Sequence, residues 1–76
     1  MSIEFMKKEL KLGERLRELR EERGLTQKAL AGMLNMNSVT YLHYEKKQRE
    51  PSLETLMTLA SFFEVSVDYL IGFSDD

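Results

Sequence analysis

The side chains best suited to chemistry lie in the stretch NSVTYLHYE, residues 37–45. A helical wheel at about 100° per residue divides this stretch between two faces. The inner face carries Tyr41, Tyr44 and Glu45, and the outer face carries Val39, Leu42 and His43, with Ser38 at its edge. A hydroxyl, an imidazole and two apolar side chains that point away from a core suit contact with a partner rather than packing.

Neither catalysis nor metal binding is predicted. The chain contains one His and no Cys, and it shows no nucleophile–base pair, no metal-ligand cluster and no Gly-rich phosphate loop. The absence of Cys fits a reducing cytoplasm. No apolar run approaches the ~18 residues that a membrane span needs. We therefore expect a cytoplasmic protein that is not an enzyme, carries no cofactor and no metal, and has no membrane partner.

Charge is distributed unevenly along the chain. Residues 1–49 contain all 11 Lys and Arg residues and 7 acidic residues, whereas residues 50–76 contain 6 acidic residues and no basic one. The two parts carry +4 and −6, within a net charge of −2. This asymmetry indicates one side that faces a polyanion and an acidic side that faces away. Two solvated faces that differ by chance are the alternative.

Helical periodicity and capping residues predict five helices and no strand. Leu12, Leu16 and Leu19 recur at helical spacing in a first helix over about 8–23, which Gly24 ends. Four later helices follow N-cap residues: Thr26 (to about 34), Asn37 (to about 45), Ser52 (with an apolar stripe of Leu53, Leu56, Met57, Ala60 and Phe63) and Ser66 (to Gly72). The predicted fold class is an all-α five-helix bundle.

The chain is predicted to hold one domain. Its 76 residues are 42% apolar and 32% charged, which supports one modest core. Residues 1–7 are assigned to an N-terminal tail without a role in the fold, 8–73 to the domain and 74–76 to a C-terminal tail.

The link LNMN between the second and third helices must turn the chain sharply. Asn35 suits this turn because Asn tolerates the left-handed conformation, and Ala31 is small where the two helices cross. The stretches LRELREERGLTQ, YEKKQREPSLETL and VSVDYLIG together resemble the XRE family of phage-repressor and Cro-type helix-turn-helix proteins, from about Gly13 to Gly72. The resemblance implies a lambda-repressor-like bundle whose helix 37–45 enters the major groove of DNA.

Several positions depart from the family pattern. Asn35 stands where the family usually has Gly, and Tyr41 stands where it usually has a β-branched residue. Lys46 and Lys47 replace a frequent Asn-Gly, and Ala29 leaves open the capping box that a Glu would close. Tyr41 affects the tilt of the third helix, which aims the residues that would read DNA.

The resemblance implies two groups of DNA-contacting residues. The base-reading group is Ser38, Val39, Leu42 and His43, and the phosphate-contacting group is Thr26, Gln27, Asn37, Lys46, Lys47 and Arg49. Ser38 can donate or accept at a base edge, Val39 suits a thymine methyl group, and His43 can reach a guanine N7 or a phosphate. An amide at a helix start and a basic loop both suit phosphates. Asn37 is predicted first as an N-cap and second as a phosphate contact.

Other residues are assigned to structure or assembly. The resemblance implies a partly buried salt bridge between Arg20 and Glu45, which ties two helices together. The predicted core includes Met33, Met36, Met57, Phe62 and Phe63. Tyr69, Ile71 and Phe73 exceed what a small core hides, so they are the candidates for a dimer surface, with packing inside the monomer as the alternative.

Together these features predict sequence-specific binding of double-stranded DNA by a transcriptional regulator, a repressor in preference to an activator. A homodimer on an inverted-repeat operator is expected because one recognition helix reads few base pairs. The alternative is a protein-interaction module, such as an antitoxin or a regulator's partner, that reuses the fold and binds through Val39 and Leu42. Salt separates the two, because DNA binding weakens steeply with salt and a hydrophobic contact does not.

Overall fold

The structure is a computed structural model that describes residues 10–75. Within these residues the helices are α1 (Leu12–Glu22), α2 (Gln27–Met33), α3 (Ser38–Glu45), α4 (Leu53–Phe63) and α5 (Val67–Ile71), and there is no strand. The predicted all-α class with five helices is confirmed. No helix in the described part of the chain has the length and apolarity that crossing a membrane requires.

The starts of α2 to α5 are capped by side chains. Thr26 Oγ1 accepts the backbone N–H of Ala29 at 3.0 Å, and Asn37 Oδ1 accepts the N–H of Val39 at 2.8 Å. Ser52 and Ser66 cap α4 and α5 in the same way. All four predicted caps are confirmed, and each stabilises its helix by about 1 kcal/mol.

The first helix begins later than predicted. Leu10 and Lys11 are not helical, so the predicted start at about residue 8 is wrong for these two residues, and residues 8 and 9 lie outside the described chain. The backbone N–H of Lys11 donates to the carbonyl of Ile71 at 3.1 Å. This segment is therefore held against the end of α5 instead of extending α1.

All five described helices end in the same way, with one left-handed residue and two reverse hydrogen bonds. At the end of α1 the N–H of Gly24 donates to Glu21 and the N–H of Leu25 donates to Arg20, which is a Schellman motif. The left-handed residues are Gly24 (φ 68°), Asn35 (φ 54°), Lys47 (φ 62°), Glu64 (φ 58°) and Gly72 (φ 93°). Gly24, Asn35 and Gly72 were predicted. Lys47 stands where the family frequently has Gly, and Glu64 carries no signal because a side chain disfavours this conformation.

The core draws one fully buried side chain from each helix. These are Leu16, Leu30, Tyr41, Leu59 and Leu70, with Ala31, Tyr44, Ala60 and Phe63 packed around them. Burial of each large apolar side chain contributes about 1.5–3 kcal/mol. Because every helix supplies a member, loss of one helix would expose apolar surface on the others.

Part of the predicted core is wrong. Met33 and Met57 are more than half exposed, as is Leu53. Helix α4 turns Leu59 and Phe63 into the core, so its buried stripe is rotated away from Leu53 and Met57. Among the other predicted core residues, Phe63 is buried, and Met36 and Phe62 pack against the core while partly buried.

Arg15 holds the last residues of the domain against α1. Its buried guanidinium donates to the carbonyls of Tyr69 and Ser74, the latter at 2.6 Å. It also lies 4.1 Å from the centroid of the Tyr69 ring, where it is attracted by the aromatic face. The chain after α5 therefore follows a path that a residue of the first helix determines.

Candidate nucleic-acid interface

A tight turn sets α2 against α3. The link of residues 34–37 reverses at the left-handed Asn35, and the N–H of Met36 donates back to the carbonyl of Ala31 at 2.8 Å. The Ala31 side chain is buried, so the small residue lies inside the fold as predicted. The direction of α3 is thereby determined locally by α2 and the turn.

Glycine allows α1 to approach the other end of α3. A Cβ atom on Gly13 would lie 2.4 Å from the backbone carbonyl oxygen of Glu45, which real structures do not tolerate. The last residue of α3 is therefore packed against α1 without an intervening side chain. This contact positions Lys46 and Lys47, which come directly after it.

The two faces of α3 differ in burial. Tyr41 and Tyr44 are buried, as the helical wheel predicts. Val39 is 56% exposed. The remaining members of the predicted base-reading group, Ser38, Leu42 and His43, are half-buried. Val39 is thus the most exposed of the four, and the base-reading role of all four residues stays a prediction.

One carboxylate ties three helices together behind this face. The Glu45 side chain is 4% exposed and accepts two hydrogen bonds from Arg20, at 2.7 and 3.1 Å. Arg20 also donates to the carbonyl of Leu25 at 2.8 Å. The amide of Gln27 donates to the same carboxylate at 3.0 Å. The predicted Arg20–Glu45 salt bridge is present, and Gln27 extends it to α2.

These contacts determine the ionisation of the pair. Burial by itself would raise the pKa of Glu45, but the hydrogen bonds from Arg20, together with the nearby Tyr41 hydroxyl and the Gln27 amide, outweigh it, and the pKa lies below its ordinary value. The hydrogen bond to Glu45 raises the pKa of Arg20. Both groups are therefore charged at neutral pH, and the brace between α1 and α3 is an ion pair.

Tyr41 lies beside this ion pair, and its hydroxyl is buried. Burial raises the pKa of its hydroxyl, and the neighbouring Glu45 carboxylate raises it further. The buried hydroxyl oxygen has no hydrogen-bond partner within the described residues. Val or Ile at this position would carry no hydroxyl to leave unsatisfied.

The predicted phosphate-contacting residues occupy three places. Thr26, Gln27 and Lys46 line one open cavity at the junction of α1, α2 and α3. Lys47 and Arg49 line a second cavity together with Gly13 and Tyr44. Asn37 lies at the start of α3, where its side chain caps the helix.

These residues also differ in what their side chains already contact. Gln27 and the two caps, Thr26 and Asn37, are hydrogen-bonded within the protein. Lys47 is paired with Glu14 at 3.5 Å, with both side chains more than half exposed. Lys46 is exposed and makes no ion pair among residues 10–75. The loop cations are thus accessible, as phosphate contacts require.

Three residues that shape this region were not predicted from the sequence. Gly13 sits inside a helical run, where Gly costs about 1 kcal/mol, and that cost is a signal of close approach. Arg15 precedes Leu19 by four residues, so it shares the buried side of α1. Arg17 precedes Arg20 by three residues and lines the same cavity as Gln27. The signals are thus a Gly within a helix, an Arg on the buried side of a helix, and a second Arg three residues before Arg20.

The fold and this surface define a helix-turn-helix protein: a short helix, a tight turn and a second helix whose outer face is accessible. The chain belongs to the helix-turn-helix family, whose model matches residues 16–70. The resemblance to phage-repressor and Cro-type proteins is thereby confirmed.

Known proteins support this assignment in sequence and in structure. The HTH-type transcriptional regulator ImmR of Bacillus subtilis is 41% identical over 63 residues, which are 83% of this chain and 50% of the relative. The HTH-type transcriptional regulator DdrOP3 of Deinococcus deserti is 51% identical over 63 residues, 82% of this chain and 48% of the relative. The chain thus spans about half the length of these relatives.

One solved structure matches this chain over nearly the whole length of the solved one. It is the P22 c2 repressor protein in complex with a synthetic operator, with a TM-score of 0.76 and 32% sequence identity. The match covers 83% of this chain and 96% of that one. The described helices therefore have the arrangement of a repressor domain.

Proposed function

We propose that this protein binds double-stranded DNA sequence-specifically and represses transcription, with α3 in the major groove. The observation that carries the proposal is the outer face of α3, which presents Val39 while the Arg20–Glu45–Gln27 network braces the helix from behind. Relatives named as transcriptional regulators, and a structural match to a repressor in complex with an operator, support it. The proposal describes a cytoplasmic DNA-binding protein and not an enzyme.

The two contact groups have separate roles in this proposal. Val39 meets a thymine methyl group, and Ser38 and His43 hydrogen-bond at base edges, with Leu42 beside them. The exposed Lys46, Lys47 and Arg49 hold phosphates and carry no sequence information. Gln27, Thr26 and Asn37 add polar contacts at the starts of α2 and α3.

We further propose that the protein binds as a homodimer to an inverted repeat with half-sites about 34 Å apart. Phe73 is 65% exposed, and Tyr69 and Ile71 are half-buried beside it in sequence, so these residues are the proposed dimer surface. Arg15 lies over one face of the Tyr69 ring, so a partner would contact the ring elsewhere. A monomer bound at full affinity to a single non-repeated site would contradict the dimer.

Selection of bound sequences from a random DNA pool tests the function directly. Val39→Ala and His43→Ala are then titrated against single-base variants of the selected site. Each is expected to cost about 1–3 kcal/mol on the best site and to relax the choice of base at one position per half-site. Glu54→Lys and Glu64→Lys, in the acidic part of the chain, serve as controls that keep the base preference.

Two results would contradict the proposal. If Val39→Ala and His43→Ala leave base preference unchanged in a folded protein, α3 does not read DNA. If the protein instead binds another protein with little dependence on salt, the alternative of an interaction module holds. Arg49→Ala should weaken binding to all DNA sequences alike, which distinguishes a phosphate contact from a base contact.

A further inference from the structure

The open cavity at the junction of α1, α2 and α3 has a volume of about 450 Å³. Its walls include Thr26, Gln27 and Lys46, three residues of the predicted phosphate-contacting group. They also include Arg17 and Glu21 of α1, to which no role was assigned from the sequence. A basic side chain from a third helix therefore faces the same space.

Most of the charge lining this cavity is already neutralised. Arg20 and Glu45 bind each other through two hydrogen bonds, and the Glu45 carboxylate is almost fully buried. Lys46, in contrast, is exposed and has no ion pair among residues 10–75. Beside this ion pair, the positive charge of Lys46 after α3 is therefore available to an anionic ligand.

Arg17 is only weakly held. Its Nε donates to Glu21 at 3.3 Å, and both side chains are more than half exposed. Exposed pairs at this i,i+4 spacing contribute little in water. No other hydrogen bond from Arg17 to residues 10–75 is formed, so both terminal nitrogens of its guanidinium are available.

Gln27 supplies an oriented neutral donor. A side-chain amide nitrogen carries two hydrogens. One of them is donated to Glu45 at 3.0 Å, which holds the amide in place. The second hydrogen remains for a group inside the cavity.

We propose that Arg17 adds a bidentate contact from α1 to the DNA phosphate that Gln27 and Lys46 hold in this cavity. Two terminal guanidinium nitrogens match two phosphate oxygens in the geometry that Arg prefers. Glu21 orients Arg17 in the free protein and competes with the phosphate for it. The inference rests on the proposed function, because DNA supplies the phosphate, and it adds a contact from α1.

The test compares Arg17→Gln with the wild-type protein on the selected DNA site at several salt concentrations. Loss of one neutralised phosphate lowers the slope of log affinity against log salt by about 0.9. Between about 50 and 200 mM salt, wild-type affinity should therefore fall about 3.5-fold more than that of the variant. Base preference should not change. Glu21→Gln should raise affinity about twofold, because it removes the competitor for Arg17.

Arg23→Gln is the matched control, since it removes the same charge beside the C-terminal end of the same helix. The Arg23 guanidinium lies 5.1 Å from the centroid of the Phe62 ring, and Arg23 does not line the cavity. This variant should keep the wild-type slope. Circular dichroism of each variant confirms that it is folded.

The outcomes distinguish this inference from the proposed function. If Arg17→Gln keeps the wild-type slope while Lys46→Gln lowers it, the role of Arg17 is overturned and DNA binding stands. A change of base preference in Arg17→Gln would also overturn it. Saturable binding of inorganic phosphate that needs Arg17, without an effect of Arg17→Gln on DNA binding, would assign the cavity to a free anion. Absence of salt-dependent DNA binding by the wild-type protein would refute both.

Discussion

Replacing Gly13 by Ala is expected to destabilise the protein, whereas the same replacement of Gly32 is expected to stabilise it. Both glycines lie inside helices, where Ala is more stable than Gly by about 0.5–1 kcal/mol. At Gly32 nothing lies within 4 Å of an added Cβ, so only this gain remains. At Gly13 the Cβ would lie 2.4 Å from the carbonyl oxygen of Glu45 and 3.1 Å from its carbonyl carbon.

The magnitude follows from how far the end of α3 must move. Ordinary contact begins at 3.4 Å, so the Glu45 carbonyl would have to withdraw by about 1 Å. Overpacking of this kind costs about 1–3 kcal/mol, and backbone atoms yield less easily than side chains. Because the clash is with backbone atoms, the upper part of this range, about 2–3 kcal/mol, applies; after the helical gain is subtracted, Gly13→Ala should lose about 1–2.5 kcal/mol, or about 5–15 °C in Tm. Gly32→Ala should gain about 2–8 °C.

Thermal and urea unfolding followed by circular dichroism measure both variants. DNA binding of Gly13→Ala at a temperature where it is fully folded should also be weaker, because Lys46 and Lys47 follow the displaced carbonyl. If Gly13→Ala melts at or above the wild-type temperature, the close approach of α1 and α3 is wrong. If both variants lose the same stability, the cause is not the predicted clash.

Three further changes test the surroundings of α3. The pKa of Glu45 is lowered in the folded state, so its ion pair stabilises the protein fully above the unfolded-state pKa of about 4.3, and this stabilisation is lost as pH falls through the folded-state pKa. Urea unfolding at several pH values should therefore show the stability of Glu45→Gln approaching that of the wild-type protein in acid. A stability difference that does not change with pH would contradict this. Tyr41→Phe should raise the free energy of unfolding by about 1 kcal/mol, because it removes a buried hydroxyl without a partner. A decrease of similar size in the free energy of unfolding would mean that the hydroxyl is hydrogen-bonded. Lys47→Gly should stabilise the protein by about 1 kcal/mol, because φ is 62° at this residue. Titration should nevertheless show weaker DNA binding, because a cation is lost. Unchanged DNA affinity would remove Lys47 from the phosphate-contacting residues.

The helix ends show which parts of the fold were predictable from local sequence. Thr26 and Asn37 cap helices through hydrogen bonds to residues two or three positions away, so their role can be read from adjacent letters. Gly24 marks a left-handed position because it lacks a Cβ. Lys47 and Glu64 adopt the same conformation without such a signal, since the bundle compensates for their local cost.

The candidate site was predictable only in part. The inner face of α3 follows from helical periodicity, which applies to any helix against a core. The resemblance to a known family suggested the Arg20–Glu45 bridge, and the structure contains it. The hydrogen bond between Gln27 and Glu45 was not predicted, because it joins residues 18 apart in sequence and depends on how two helices are placed against each other.

The sequence by itself determined the number of described helices, most of their ends and the apolar face of α3, because hydrogen bonds within a few residues and helical periodicity decide them. Only the tertiary structure decided that Gly13 admits the end of α3, that Arg15 holds the chain after α5, and that Met57 is exposed. These properties depend on the rotation and separation of packed helices. A shift of about one residue around a helix moves a side chain by 100°, and thus from core to solvent, without changing the local pattern.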